Sequence, residues 1–321
     1  MEVVVTRNIP SAALNVLNKR FKVDLWQSDD IIPRETLISK IKAKDGLLCL
    51  LTDKIDKEVL DSAGDRLQAV STISVGVDHI NRSECTMRGI KIGYTPEVLT
   101  AATAEFAVGL LLSTSRRIVE GTHAAKRSNS VCFFILCQKY KVTNDVTACV
   151  LVLLVDDKTT DRVGTILILR IANFSHSYFF KKDKAFEENL WVHFASFPDL
   201  LRESDFIISC CSFNQSTDGV FDKEAFKQMK NSAIFVNIAR GGVVNQDDLY
   251  DALSRNVIRG AGLDVTTPEP LPTDHPLFTL DNCVVTPHIG SASEKTRTEM
   301  TMLAVENLIC ALENRAMPAQ Y

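Results

Sequence analysis

Ala233-Ile234-Phe235-Val236-Asn237 is an apolar run of strand length, and it passes directly into Ile238-Ala239-Arg240-Gly241-Gly242. Helical spacing follows over 246–253, and Gly260-Ala261-Gly262-Leu263-Asp264 is a second short apolar run. Two strands joined by a helix of this length pair in parallel through a right-handed crossover. The unit therefore predicts an open α/β sheet, in which ligands bind just beyond the carboxyl ends of the strands. Arg240 stands at such an end, with glycines behind it.

The same alternation extends in both directions. Upstream, strands are expected at 150–155 and 206–209 and helices at 165–174 and 223–229, and downstream a strand at 283–285. The first hundred residues repeat the pattern, with strands at 3–6, 21–25, 46–51 and 67–73 and helices at 11–19, 34–40 and 57–62, the first capped by Ser11. Between these regions, 100–126 reads as one buried helix rich in small residues, with Thr100 or Thr103 to cap it. The final helix, 294–313, reads as amphipathic and as returning to the first region.

Bulk properties narrow the class of ligand. The chain of 321 residues exceeds one ordinary core, and 45% apolar with 24% charged residues excludes a disordered chain. A net charge of −4 with scattered basic residues argues against nucleic acid or an anionic membrane, leaving a small molecule. The most apolar run, 146–155, is about half of what spans a bilayer. The start, Met1-Glu2-Val3-Val4-Val5, lacks the basic and apolar regions of a secretory leader, so the expectation is cytoplasmic. Nine cysteines form no matched framework and read as free thiols, and His79, His193 and His288 lack metal-ligand spacing.

Two further motifs end in ionisable residues. The 260–265 strand leads to Thr267-Pro268-Glu269-Pro270, where two prolines fix the direction of the glutamate, and Val285-Thr286-Pro287-His288 closes the next strand. Taken singly, Arg240 reads as a surface ion pair, Glu269 as a turn charge and His288 as a cap. Beyond three consecutive strands of one sheet they read as a set, suited to reducing a 2-oxo acid. Arg240 would hold the carboxylate and polarise the carbonyl, and His288 would donate the proton. Glu269 would fix the imidazole and stabilise its protonated form.

The run 237–245, Gly262-Leu263-Asp264-Val265 with Pro268-Glu269-Pro270, and Pro287-His288-Ile289-Gly290-Ser291 resemble the D-2-hydroxyacid dehydrogenases. Leu48-Cys49-Leu50-Leu51-Thr52-Asp53, Ser71-Thr72-Ile73-Ser74-Val75-Gly76-Val77-Asp78-His79 and Gly93-Tyr94-Thr95-Pro96 look like the glyoxylate/hydroxypyruvate reductase group within them. The resemblance spans roughly 1–125 and 190–321. It implies two doubly wound parallel-sheet domains, Rossmann-like or flavodoxin-like, with the active site in the cleft between them. Residues 1–99 plus 293–321 would form the substrate domain and 100–292 the NAD(P)-binding domain. The backbone amides of Val75 and Gly76 would bind substrate carboxylate together with Arg240, Leu51 would line the same pocket, and Thr103 and Asp264 would lie against the nicotinamide. The implied partner is a small 2-oxo acid, and the implied assembly a homodimer.

The segment 128–180 departs from that pattern. Where the family carries Gly-x-Gly-x-x-Gly, this chain has Thr159-Thr160-Asp161-Arg162-Val163-Gly164, in which only Arg162 and Gly164 agree. Glycines at that turn let the backbone approach a pyrophosphate, whereas Asp156, Asp157 and Asp161 oppose one. A catalytically silent relative acting as a binding or scaffold protein is therefore the alternative to an active reductase. Lys181 and Lys182 fall near the expected ribose position, where basic residues accommodate the 2′-phosphate of NADP, with NAD the second choice.

Overall fold

The computed structural model describes residues 1–127, 150–155, 175–179 and 192–321. The chain forms two compact units, Met1–Leu99 with Ala292–Tyr321, and Thr100–Ser291.

The first unit alternates strand and helix: β1 (Glu2–Val5), α1 (Ser11–Asn18), β2 (Lys22–Leu25), α2 (Arg34–Lys40), β3 (Gly46–Cys49), α3 (Lys57–Ala63), β4 (Ala69–Thr72), α4 (Arg82–Met87) and β5 (Lys91–Gly93). All pairings are parallel, in the order β2-β1-β3-β4-β5, the flavodoxin-like doubly wound arrangement. Successive residues serve opposite faces, as the two-residue period requires. Val4, Leu47 and Val70 join one apolar cluster, while Val3, Val5, Leu48 and Ala69 join the other.

Side chains cap α3 and α4, Asp56 accepting from the Val59 N–H and Asn81 from the Glu84 N–H. The expected Ser11 cap is not formed. Ser11 is already helical, and the carbonyl of Pro10 accepts from the N–H groups of Ala13 (2.9 Å) and Leu14 (3.1 Å).

The second unit holds α5 (Thr100–Ser115), α6 (Ile118–Arg127), β6 (Val150–Val155), β7 (Ser175–Phe179), β8 (Val192–Phe194), α7 (Phe197–Glu203), β9 (Phe206–Cys210), α8 (Lys223–Gln228), β10 (Ile234–Asn237), α9 (Gln246–Ser254), β11 (Gly260–Leu263) and β12 (Cys283–Val285). Its seven strands are parallel, in the order β12-β11-β10-β9-β6-β7-β8. The order reverses between β6 and β9, which makes their carboxyl ends the topological switch point of a Rossmann-type sheet. The helix expected over 165–174 lies outside the described residues.

The single helix expected over 100–126 is two. Arg117 adopts a left-handed φ of 53°, which turns the chain between α5 and α6. Glycine or asparagine usually fills that position, so no residue type signals the break. The buried face of α5 lies against β11, where a Cβ on Gly262 would come within 2.8 Å of Leu110 and Thr114.

The last helix, α10 (Glu294–Leu312), packs on the first unit's sheet but is not amphipathic. Its C-terminal half is buried on nearly every side, with Leu308, Ile309, Cys310, Ala311 and Leu312 all inaccessible. Small residues explain the close fit. A Cβ on Gly46 would meet Leu308 and Leu312 at 3.0 Å, and one on Gly93 would meet Asn307 at 2.8 Å. Buried Asn307 donates to the carbonyl of Tyr94 and accepts from the N–H of Ala319, tying down the C-terminal segment. Among the described residues no helix is long and apolar enough to cross a membrane.

Candidate active site

The register of the second sheet decides which side chains gather at its carboxyl edge. Asn237 pairs with Leu263, and Leu263 with Val285, so β10, β11 and β12 end level with one another. Arg240 and His288 each follow three residues beyond their strand, and Glu269 comes from the turn after β11.

Local sequence shapes each of these turns. Buried Asn237 donates from Nδ2 to the carbonyl of Arg240 (2.9 Å) and accepts at Oδ1 from the N–H of Ala239 (3.0 Å), folding the chain sharply after β10. The half-buried Arg240 side chain donates from Nη1 to the carbonyl of Ala239. Gly241 lets this loop touch the next, because a Cβ there would lie 2.0 Å from the carbonyl oxygen of Thr266. The 267–270 turn is held in turn by Gln246, which accepts from the Thr267 N–H at 2.7 Å and donates to the Thr267 carbonyl.

Glu269 meets His288 directly. Its Oε1 lies 2.5 Å from Nδ1 of the imidazole, and the two side chains are 27% and 19% exposed. Nε2 is then the ring nitrogen that Glu269 does not engage. His288 takes a left-handed φ of 55°, a conformation few residues other than glycine adopt, and needs support from outside itself. Asp264 supplies it. The Asp264 carbonyl accepts from the His288 N–H (2.9 Å). Its carboxylate accepts from the N–H groups of Ile289 (2.9 Å) and Gly290 (2.8 Å) and from the Thr286 hydroxyl (2.6 Å). A Cβ on Gly290 would come within 3.0 Å of Asp264 and 3.5 Å of Thr103, so Thr103, Asp264 and Gly290 share one spot.

Residues 108–290 match the D-isomer specific 2-hydroxyacid dehydrogenase, NAD binding domain, family. The chain belongs to the D-isomer specific 2-hydroxyacid dehydrogenases. It is 42% identical over 330 residues to a human glyoxylate reductase/hydroxypyruvate reductase, covering 100% of this chain and 97% of that protein. A glyoxylate reductase of Thermococcus kodakarensis is 38% identical over 329 residues, covering 99% and 94%. The crystal structure of the TT0316 protein from Thermus thermophilus superposes with a TM-score of 0.89 at 36% identity, covering 100% of this chain and 99% of that one. As a member of this family the chain is an NAD(P)-dependent oxidoreductase.

Of the residues singled out in the sequence, Glu269 and His288 are in contact, and Arg240 leaves the adjacent strand at the same edge. Thr103 and Asp264 also come together, although Asp264, expected against the nicotinamide, spends both oxygens on the segment that carries His288. In the first unit Leu51 and the Val75–Gly76 loop follow the adjacent strands β3 and β4. That loop is braced beneath, since Ser74 donates to the carbonyl of Gly76 at 2.8 Å and shares a 2.8 Å hydrogen bond with Thr72. Arg162, Gly164, Lys181 and Lys182 lie outside the described residues. Sequence alone assigns no role to Asn237 or Gln246, because each acts by bracing a loop rather than by facing a ligand.

Proposed function

We propose that this protein reduces a small 2-oxo acid, glyoxylate or hydroxypyruvate, to the 2-hydroxy acid with NADPH. The observation that carries the reading is the Glu269–His288 pair, set at the same sheet edge as Arg240. The names of the full-length relatives point to the same substrates.

Arg240 binds the substrate carboxylate and polarises the adjacent carbonyl oxygen. Glu269 fixes the plane of the imidazole by its bond to Nδ1, and Nε2 of His288 delivers one proton to the carbonyl oxygen as it becomes a hydroxyl. The hydride for the carbonyl carbon would come from a nicotinamide held beside this site. The residues present at its expected position fit such a group. Thr103 and buried Asp264 come together at Gly290, where a Cβ would press to 3.0 Å on the Asp264 carboxylate, so the glycine keeps this corner narrow. Thr103, Asp264, Arg162 and Gly164 are the residues we assign to holding the cofactor.

Residues 100–291 then form the cofactor-binding unit, and the first unit binds substrate through the amides of Val75 and Gly76 and the side chain of Leu51. NADP is favoured over NAD by Lys181 and Lys182 in the sequence. The same reading makes the protein a cytoplasmic homodimer. The six described cysteines are free thiols, which fits a reducing compartment.

Fluorescence titration of the purified protein with NADPH and NADH tests the reading. Micromolar binding, tighter for NADPH, is expected. A folded protein that binds neither would leave the catalytic side chains as remnants and favour a scaffold role.

A further inference from the structure

The second unit has a concavity at the opposite edge of its sheet. Ile234 and Gly260 open β10 and β11, Asn282 precedes β12, and these residues with Thr114, Arg117 and Arg259 enclose about 450 Å³. That volume falls within the range of small-molecule sites, about 300–1,000 Å³. Four-residue β10, at about 3.3 Å per residue, puts roughly 13 Å of strand between this edge and the loop of Arg240.

The walls are fixed. Asn282 donates from Nδ2 to the carbonyls of Leu253 and Arg259, both at 3.2 Å, which pins the 253–259 segment against the start of β12. Two arginines, Arg117 and Arg259, line this space. Arg117 is paired with Glu120 one helical turn on. Arg259 is half-buried, and among the described residues no hydrogen bond or ion pair reaches its side chain. Burial first, and the positive charge of Arg117 second, push Arg259 down from the ordinary arginine value. The one carboxylate on the rim, Asp281, is exposed and pairs with neither arginine among the described residues.

A half-buried cation with a second arginine beside it is favoured by an anion that neutralises it. Guanidinium offers paired N–H donors that match the geometry of phosphate and carboxylate oxygens. The Asn256 side chain, exposed at the mouth, adds amide donors. We propose that this cavity is a second ligand site, taking a small polyvalent oxyanion between Arg259 and Arg117 and independent of the substrate site.

Calorimetric titration of the full chain at fixed ionic strength tests this, with inorganic phosphate in one series and citrate in another. Saturable one-site binding of at least one anion is expected, and the series that saturates tells a phosphate site from a polycarboxylate site. Arg259→Gln should weaken it at least tenfold and Arg117→Gln should weaken it too, while Arg240→Gln should leave it unchanged. Circular dichroism on each variant confirms folding, and Arg259→Lys, which keeps the charge, should retain part of the affinity. Absence of saturable binding for both anions would overturn the proposal. So would binding that survives Arg259→Gln and is lost in Arg240→Gln, since the anion would then occupy the substrate site.

Discussion

Nδ1 of His288 and Oε1 of Glu269 lie 2.5 Å apart, although the two residues leave different strands, β12 and β11. The contact fixes the imidazole plane and leaves Nε2 outside it, the nitrogen that the proposed mechanism uses. Glu269→Gln preserves the size of the side chain but removes its charge. We expect turnover to fall tenfold or more with KM little changed, measured by steady-state kinetics. An unaltered kcat would remove Glu269 from the positioning of His288.

Asp264 is the anchor of the segment that carries His288. In Asp264→Asn one carboxylate oxygen becomes an NH2 group and faces a backbone N–H or the Thr286 hydroxyl. Each hydrogen bond to a charged group contributes about 1.5–3 kcal/mol, so a stability loss of about 2 kcal/mol is expected. Denaturant unfolding measures it, and activity should drop in the same variant. Wild-type stability would mean the loop is held elsewhere.

The strand ends and the side chains that gather beyond them were legible in the sequence because both obey local rules. Apolar runs such as 234–237 have no other stable reading when helices flank them, and Arg240, Glu269 and His288 each follow such a run. What was not legible depends on tertiary contact. The break at Arg117 lacks a glycine to announce it, and α10 lost its polar face because glycines at 46 and 93 admit it closely. Gln246 looks like an ordinary first-turn residue until the 267–270 turn is folded beside it. The loop over 156–164, where the family pattern fails, lies outside the described residues.

Gly241 is needed by space rather than by backbone conformation. A methyl group there would sit 2.0 Å from the carbonyl oxygen of Thr266. Gly241→Ala should therefore destabilise by about 3 kcal/mol or more and lower activity by pushing apart the loops of Arg240 and Glu269. Gln246→Ala removes two hydrogen bonds from the same turn and should cost about 1–2 kcal/mol. Thermal unfolding that ranks the two variants in the opposite order would contradict this packing.

Glu2 carries an acid-sensitive contact. Hydrogen bonds from Lys22 (2.8 Å) and Lys44 (2.9 Å) lower its carboxyl from 4.5 to about 2. A carboxyl depressed by folding contributes stability above its unfolded value and loses it as pH falls towards the folded one. The contribution should therefore fade between about pH 4.5 and pH 2. Glu2→Gln should flatten that part of the stability profile and lower stability at neutral pH by the same small amount, small because the half-buried pair is screened by solvent. Equal acid sensitivity in both proteins would place it elsewhere.

The most direct test is glyoxylate-dependent oxidation of NADPH, followed by nicotinamide absorbance, with wild type and His288→Ala side by side. NADPH affinity is titrated for each beforehand. Turnover by the wild type, reduced about a hundredfold or more in the variant at equal cofactor affinity, is the predicted result. A variant as fast as the wild type, or a folded wild type that binds NADPH without reducing glyoxylate or hydroxypyruvate, would contradict it.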